Sequence, residues 1–189
     1  MTSVSTKTGD KGQSGLANGQ RLSKDALIFE VLGTQDELNA WIGYSLVKLS
    51  DEFTDQKKFL SEVQDTLFYI GAELAQSPKA KLSQAKLDML EKTSEDLQSQ
   101  MEKNWMAKFL FPGGHEGAAR VDITRTVCRR LERLVVKYSS ETEVSSIVMK
   151  YVNRLSDYLY VLRCFVNFKE GFAERPFEVT TAEASTADA

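Results

Sequence analysis

The residues with the clearest chemistry lie in the first two dozen positions of the 189-residue chain. The segment Thr6–Leu16 combines glycines with hydroxyl side chains, two lysines and one aspartate. Glycines let a backbone approach an anion and turn its N–H groups toward it, while lysines and hydroxyls add charge and donors. An aspartate can hold a divalent cation against phosphate oxygens. The spacing is not the Walker pattern, so the segment predicts a phosphate site without a P-loop fold; the alternative is a disordered, glycine-rich terminus.

A second set of polar residues lies in a predicted helix over residues 116–138. At about 100° per residue, Arg125, Arg129 and Glu132 fall on one side of this helix, with Arg133 beside them. The opposite side is expected to be apolar and buried, and it holds Ile123, Val127, Leu131 and Leu134. The polar row is either a solvated face with weak ion pairs or a set of guanidinium groups for phosphates or carboxylates. Arg130, at the edge of the apolar side, is expected to form a buried structural ion pair.

A predicted helix over residues 144–169 is apolar nearly all round. One face holds Tyr151, Leu155, Tyr158, Leu159, Leu162 and Val166, and the opposite face holds Asn153, Asp157, Tyr160 and Cys164. Such a helix is central in a bundle or lies at a subunit interface. A buried amide or carboxylate needs a partner, so we expect Asp157 to pair with Arg154 or Arg130 and Asn153 to bond to backbone. A ligand role for Asn153 and Asp157 is the equal alternative.

These segments belong to an all-α chain. Long 3.6-residue periods and the presence of three prolines predict five helices, at about 24–49, 52–75, 83–103, 116–138 and 144–169. A break near Gly33 is possible, because Thr34–Glu37 resembles a capping box. The third helix is polar on most faces and is expected to be peripheral. Pro112-Gly113-Gly114 must lie in a loop. We therefore divide the chain into an N-terminal segment at 1–23, a helical bundle domain at 24–173 and a disordered tail at 174–189.

The composition is that of an ordinary globular protein and excludes several functions. Hydrophobic residues make up 42% and charged residues 27%, and the net charge of −3 does not suggest a nucleic-acid partner. A single histidine, His115, excludes multi-histidine metal sites and histidine-paired nucleophiles. Cys128 and Cys164 are expected to be buried, reduced thiols, which favours a cytoplasmic location. No apolar stretch is long enough to cross a membrane.

Six ordered motifs together resemble the PduO-type ATP:cob(I)alamin adenosyltransferases, also called corrinoid adenosyltransferases. They extend from residue 6 to residue 158 and cover most of the chain. They are Thr6–Gly12, Gly19–Lys24, Asp36–Asn39, Phe109–Gly114, Arg125–Arg133 and Tyr151–Tyr158.

The resemblance implies a fold and a reaction. The fold would be a five-helix bundle with a four-helix-bundle-like up-down core, assembled as a homotrimer with active sites between neighbouring subunits. The reaction would transfer the 5′-deoxyadenosyl group of ATP to cob(I)alamin, forming adenosylcobalamin and releasing triphosphate. ATP and cobalamin would be the substrates and Mg²⁺ the metal. A flavoprotein or other reductase, and an adenosylcobalamin-dependent mutase, would be the partners.

The resemblance also implies residue roles. The triphosphate would be wrapped by Thr6, Lys7, Thr8, Gly9, Asp10, Ser14 and Lys24. Arg129, Glu132 and Asn153 would complete the nucleotide site, with Glu132 near Mg²⁺. Asp36 and Arg125 match a pair that bridges subunits beside the corrin ring. Phe109 matches the aromatic residue that takes the lower axial face of cobalt and displaces the dimethylbenzimidazole base.

One departure from the family pattern leaves an alternative open. Relatives usually carry histidine where this chain has Asp122, which alters a local hydrogen bond or a corrin contact. A non-catalytic homologue that binds ATP or cobalamin is therefore a second hypothesis. A purely structural bundle is a third, but it leaves the Thr6–Gly15 segment unexplained.

Overall fold

The computed structural model describes residues 7–106 and 108–178 of the chain. Within these ranges it has five α-helices and one small β-hairpin. The strands are β1 (Gln13–Gly15) and β2 (Arg21–Ser23). The helices are α1 (Leu27–Leu46), α2 (Thr54–Leu74), α3 (Gln84–Gln98), α4 (Glu116–Tyr138) and α5 (Ser146–Lys169), and a short 3-10 turn at Asp51–Phe53 precedes α2. The prediction of an all-α, five-helix fold is confirmed, and the bounds of α4 agree with it.

The helices pack in the order α2, α1, α4, α5, α3, which places α4 and α5 in the middle. The predicted stripe of α2 is buried at Val63, Leu67, Ile70 and Leu74, and Phe59 is partly buried. The ring of Phe59 meets Tyr158 of α5 edge-on at 5.1 Å. The largely polar α3 still buries Leu87, Leu90 and Leu97. The core therefore forms on both sides of the α4–α5 pair.

Helix α1 runs without a break through Gly33. Thr34 and Gln35 are buried inside the helix, and Thr34 begins no new helix. The Gln35 amide lies so close to Gly71 that a Cβ there would collide with it. Packing of α1 against α2 through this contact outweighs the local capping signal, so the expected break is wrong.

Helix α4 buries an arc that overlaps only in part with the predicted one, and Val127 lies in both. Ile123 is 43% exposed, and Leu134 is only partly buried. The buried residues include Val121, Thr124 and Cys128, with Leu131 and Val135 further along. Because α4 packs against both α1 and α5, its buried arc faces the space between them. The predicted arc is thus confirmed at Val127 and Leu131, holds in part at Leu134 and is wrong at Ile123, which lies on the outer side.

Helix α5 is enclosed only in its second half. Residues 161–167 are all buried, whereas Asn153 and Tyr160 are partly exposed and Asp157 is exposed. The first half therefore leaves one polar side open beside α4. The expectation of a helix buried on both sides holds for the second half alone.

The hairpin was not predicted, although the sequence carries a signal for it. Asn18-Gly19 is a common turn pair, and Gly19 has φ of 87°. The strands pair antiparallel with Ser14 opposite Leu22. The turn is fixed to the end of α2, because Ala17 N donates to Ala75 O at 3.0 Å. Lys24, the predicted start of the first helix, instead follows β2.

The chain after α5 lies partly inside the described region. Residues 174–178 belong to the predicted tail, and they contact the loop after α3 through a bridge between Leu110 and Pro176. Residues 179–189 lie outside the described residues. Among the helices of the described ranges, none has the length and apolar character needed to cross a membrane.

Candidate functional site

A cavity of about 280 Å³ opens between α4 and α5, where the polar sides of the two helices meet. Glu132, Asn153 and Arg154 lie at its polar wall, with Val135, Val136 and Met149 among its apolar lining. Asn153 Nδ2 donates to Glu132 Oε1 at 2.7 Å. Arg154 donates to Asn153 Oδ1 at 2.7 Å and to Glu91 of α3 at 3.1 Å. Asn153 thus bonds to side chains, and the expectation of a backbone partner is wrong.

Charged groups continue along the same side of α4 and α5. Asp157 lies 3.9 Å from Arg154, which agrees with one of its two expected partners. Partial burial raises the pKa of Asp157, while Arg154 acts against this shift and Glu132 adds to it. Arg129 is exposed beside this group. A cation or a nucleotide phosphate could therefore reach both carboxylates and the guanidinium from solvent.

Arg130 does form an ion pair, but an exposed one. Its guanidinium contacts the Glu37 carboxylate of α1, and the two side chains are 46% and 44% exposed. The predicted buried ion pair is therefore wrong, because the side of α4 that carries Arg130 faces outward.

The predicted phosphate-binding segment folds back on its own hairpin. Lys24 N donates to Gly12 O at 2.8 Å, and Arg21 donates to Thr8 O at 2.7 Å. The Lys24 ammonium lies against Gly9, where an added Cβ would be 3.1 Å from Nζ. The side chains of Lys7, Asp10 and Lys24 are exposed, and that of Ser14 is partly exposed. Thr6, also predicted here, lies outside the described residues.

The hydrogen bonds described for the hairpin segment and those described for the cavity run to different parts of the bundle. In the described ranges, the hydrogen bonds of residues 9–24 run among themselves, to Lys7, Thr8 and Ala26, and to Ala75 and Gln76 just after α2. The contacts of the cavity residues run among α3, α4 and α5. Residues predicted to share one nucleotide site are thus brought into two separate groups.

The loop at residues 109–114, called the Phe109 loop below, presents Phe109 to solvent. The Phe109 side chain is 85% exposed, although it is a large apolar group. The loop is fixed underneath by Arg163, which is 1% exposed and donates to Phe111 O at 2.8 Å. Sequence reasoning missed Arg163, Asn167 and Glu174. The available signal was an arginine and an asparagine within an otherwise apolar stretch of helix.

Arg125 lies partly exposed on α4, and Asp36 lies on α1. Arg125 Nε donates to Asp122 Oδ1 at 2.7 Å, and Asp122 is 5% exposed. Asp36 is exposed on α1. The Arg125 guanidinium also lies 5.9 Å from the ring centre of Tyr160. Burial raises the pKa of Tyr160 to about 12, so this phenol stays neutral at physiological pH.

No group of three or more His, Cys, Asp or Glu side chains is arranged to hold a metal within residues 7–106 and 108–178. The donor set at the cavity is a Glu132 carboxylate oriented by Asn153, with the Asp157 carboxylate on the next turn of α5. Oxygen donors of this kind suit Mg²⁺, which usually keeps water and substrate phosphate oxygens as its other ligands. The residues present therefore fit a nucleotide-borne Mg²⁺.

Taken together, the fold and the site define a helical bundle with an open cavity between α4 and α5 and an exposed aromatic loop. Residues 4–166 match the family model described as cobalamin adenosyltransferase. A corrinoid adenosyltransferase of Bacillus subtilis is 38% identical over 178 residues, which is 92% of this chain and 91% of the relative.

Solved structures agree with the sequence relatives. A variant of a PduO-type ATP:corrinoid adenosyltransferase from Lactobacillus reuteri, complexed with cobalamin and ATP, superimposes with a TM-score of 0.87 at 28% identity, covering 93% of this chain and 97% of that one. A second variant of that enzyme, complexed with ATP, gives 0.85 at 30% identity, covering 93% and 100%. The chain therefore belongs to the cobalamin adenosyltransferase family and is an enzyme of the transferase class.

Proposed function

We propose that this protein transfers the 5′-deoxyadenosyl group of ATP to cob(I)alamin, forming adenosylcobalamin and releasing triphosphate. The Glu132–Asn153 pair at the α4–α5 cavity carries this proposal, because it places an oriented carboxylate and amide at a pocket that is open to solvent. Membership of the family and the ATP-bound and cobalamin-bound state of a similar structure support it.

The nucleotide is bound by the two groups of residues that the single chain keeps apart. The hairpin segment supplies Lys7, Thr8, Gly9, Asp10, Ser14 and Lys24, and Thr6 precedes them in the sequence. The cavity supplies Arg129, Glu132 and Asn153. If the hairpin of one subunit covers the cavity of its neighbour, the two groups meet, which requires the proposed homotrimer.

The chemical step needs neither a general base nor a covalent enzyme intermediate. Cob(I)alamin donates an electron pair to the ribose 5′ carbon, a cobalt–carbon bond forms, and the carbon–oxygen bond to the triphosphate breaks. The bonding pair leaves with the triphosphate oxygen. Lys7, Lys24 and Arg129 stabilise the charge that develops there, as preorganised cations do. Mg²⁺, bound with the nucleotide near Glu132, would add to this neutralisation.

Phe109 acts on the cobalt side. A nitrogen ligand on the lower face of cobalt donates electron density and makes cob(II)alamin harder to reduce. An apolar ring in that position displaces the nitrogen ligand and donates no electron density of its own to cobalt. The exposure of Phe109 on a fixed loop supports this role, since an 85% exposed ring is accessible to a bound corrinoid.

Asp36 and Arg125 are proposed to meet across the subunit interface beside the corrin. Asp36 is exposed, and Arg125 is held by Asp122 of its own helix. Asp122 therefore orients Arg125 and does not remove it from the interface. A reductase that supplies the electron, and a mutase that receives the product, are proposed as partners.

The reaction is tested with the trimeric protein, ATP, Mg²⁺ and chemically reduced cob(I)alamin, followed by the corrin absorption spectrum. We expect the adenosylcobalamin spectrum and one triphosphate for each product. No adenosylcobalamin together with calorimetric binding of ATP would favour the non-catalytic homologue that Asp122 suggested. No product and no ATP binding would leave only a structural bundle.

The role of Phe109 is tested by Phe109→Ala, with Phe172→Ala as a matched control on another exposed phenylalanine. Turnover that begins with cob(II)alamin and a reductant should fall far more than turnover that begins with cob(I)alamin. Equal losses in the two assays would remove the proposed role of Phe109 and leave the transferase assignment intact.

A further inference from the structure

Residues 174–178, called the strap below, form the outer support of the Phe109 loop. Phe111 N donates to Arg175 O at 2.9 Å, and Phe177 N donates to Phe109 O at 2.7 Å. Between these two bonds, Leu110 and Pro176 form an antiparallel bridge. The backbone on both sides of Leu110 is therefore tied to the strap.

Side chains add to this pairing at Phe111 and leave Phe109 free. The Phe111 ring meets Phe177 edge-on at 5.8 Å, and the Arg175 guanidinium lies 3.9 Å from its ring centre. Phe109, two residues earlier, points away from these contacts to solvent. The loop thus has one anchored aromatic residue and one presented aromatic residue.

The strap is fixed in turn by a buried arginine. Arg163 is 1% exposed and donates to both carboxylate oxygens of Glu174, at 2.9 and 3.0 Å. The same guanidinium donates to Phe111 O at 2.8 Å. A buried guanidinium is costly unless it is paired and hydrogen-bonded, so this arrangement strongly favours one position of strap and loop.

Asn167, one turn further along α5, holds the other end of the loop. It is fully buried and donates to Gly113 O at 3.2 Å and to Glu174 Oε1 at 2.9 Å. Its Oδ1 accepts from His115 N at 2.9 Å. Gly114 has φ of 109°, and a Cβ there would collide with the Asn167 amide. The close approach of loop and α5 therefore depends on this glycine.

We propose that Arg163, Asn167 and Glu174 form a clasp that positions Phe109 against the lower face of the corrinoid substrate. They are positioning residues, because they act through the loop backbone and the strap. The inference rests on the proposed role of Phe109. It adds that α5 and the strap, by fixing the loop before substrate arrives, determine how well Phe109 excludes the axial base.

A second ion pair also involves the strap, which it joins to the residue before the Phe109 loop, and it provides a matched control. Lys108 Nζ lies 2.5 Å from Glu178 Oε1, but the side chains are 55% and 67% exposed. Exposed pairs contribute little, because water screens them and their side chains lose entropy on pairing. Glu178→Gln therefore removes a strap carboxylate without touching the clasp.

The test compares Glu174→Gln with Glu178→Gln in the full-length protein with ATP. The first readout is the fraction of bound cob(II)alamin that is four-coordinate, measured by electron paramagnetic resonance. The second is the pair of turnover rates from cob(II)alamin with reductant and from cob(I)alamin. We expect Glu174→Gln to lose most of the four-coordinate signal and about tenfold of the cob(II) rate, since a misplacement of about 1 Å can cost up to ~10²-fold. The cob(I) rate should change less than the cob(II) rate, and Glu174→Asp should restore part of the signal.

Asn167→Leu is a second test of the clasp, for use if circular dichroism shows that Glu174→Gln does not fold. It breaks the bonds to Gly113 and His115 while the Arg163–Glu174 pair stays, and the same asymmetric loss is expected. A folded Glu174→Gln or Asn167→Leu that behaves like Glu178→Gln overturns the clasp. Equal loss from cob(II) and cob(I) in a folded variant also overturns it, because that pattern marks general damage.

The outcome with Phe109→Ala separates the two proposals. If Phe109→Ala shows the asymmetric loss and the clasp variants do not, the role of Phe109 stands and the clasp is wrong. If Phe109→Ala itself loses both rates equally, the role of Phe109 fails first and the clasp fails with it.

Discussion

The two halves of the proposed active site are built in opposite ways. On the nucleotide side, the donors of the hairpin segment are exposed and bond mainly to their own backbone, and the α4–α5 cavity is open to solvent. On the cobalt side, the Phe109 loop rests on a fully buried arginine and asparagine. Contacts within the chain hold the Phe109 loop, whereas the contacts described for the hairpin segment do not reach the cavity residues. We therefore expect the ligand and a neighbouring subunit to organise the nucleotide side, whereas folding alone organises the Phe109 loop.

The largest effect on activity is expected on the nucleotide side. Arg129→Ala should lower kcat/KM for ATP by about 10²–10³-fold, because it removes a cation that stabilises the leaving triphosphate. The melting temperature should stay nearly unchanged, since Arg129 is exposed. Arg133→Ala, on the same exposed side of α4, is the control in steady-state assays with cob(I)alamin. Similar losses for the two variants would contradict a specific role for Arg129.

On the cobalt side, variants of the residues that hold the Phe109 loop should instead lower the stability of the fold. Arg163→Met should lower the free energy of unfolding by about 2–4 kcal/mol, since it leaves Phe111 O without its side-chain donor and the partly buried Glu174 carboxylate with Asn167 but no cation. Arg130→Met, which breaks the exposed pair with Glu37, should cost less than about 1 kcal/mol. Urea unfolding followed by circular dichroism measures both. Costs of the same size would mean that the clasp is no firmer than a surface ion pair.

A smaller effect is expected at the proposed subunit contact. Asp36→Asn and Arg125→Gln should each lower activity by about tenfold and weaken the trimer, because each removes one charge of the proposed contact. Arg125→Gln also leaves the buried Asp122 without its donor, so it should lower stability as well. The double variant Asp36→Asn with Arg125→Gln should lose little more activity than Arg125→Gln alone, because the two residues form one contact. Activity and sedimentation velocity measured on the same samples test this. Loss of activity in an intact trimer, with losses that add in the double variant, would place the two residues elsewhere.

The smallest effect is expected at the two cysteine thiols, one on the nucleotide side of the proposed site and one on the cobalt side. Cys128 is buried under the α4 side that carries Arg129, and Cys164 is buried beside Arg163. Burial raises the pKa of both thiols, which lowers the fraction of reactive thiolate at neutral pH. A thiol reagent should therefore label neither cysteine in the native protein and both in urea. Rapid native labelling of Cys164 would show that the clasp opens readily.

Much of the fold follows from local patterns. Long periodic stretches give the helices, and the bounds of α4 agree because His115 caps its start and a Thr-Ser-Glu-rich segment follows Tyr138. The hairpin was missed although Asn18-Gly19 signals it, because three-residue strands carry too little alternation to detect. The break at Gly33 was wrongly allowed, because a capping signal is local and the packing of Gln35 on Gly71 is not.

The candidate site also has features that the sequence predicts and features that it does not. The residue types at Lys7, Lys24, Arg129 and Glu132 indicate phosphate chemistry without any fold, since charge and donor geometry belong to the side chain. Their partners do not follow from the sequence. Asn153 was expected to bond to backbone and instead bonds to Glu132 and Arg154, since a side chain takes the nearest donor or acceptor that packing brings to it.

The sequence by itself determined the five helices, the buried cysteines and the polar residues available for a nucleotide. Only the tertiary structure decided which arc of α4 is buried, how the hairpin closes on Lys24, and that Arg163 reaches both Phe111 and Glu174. The reason is physical. Helix formation and charge depend on neighbours a few residues apart, whereas these contacts join residues separated by many positions and form only when whole helices pack.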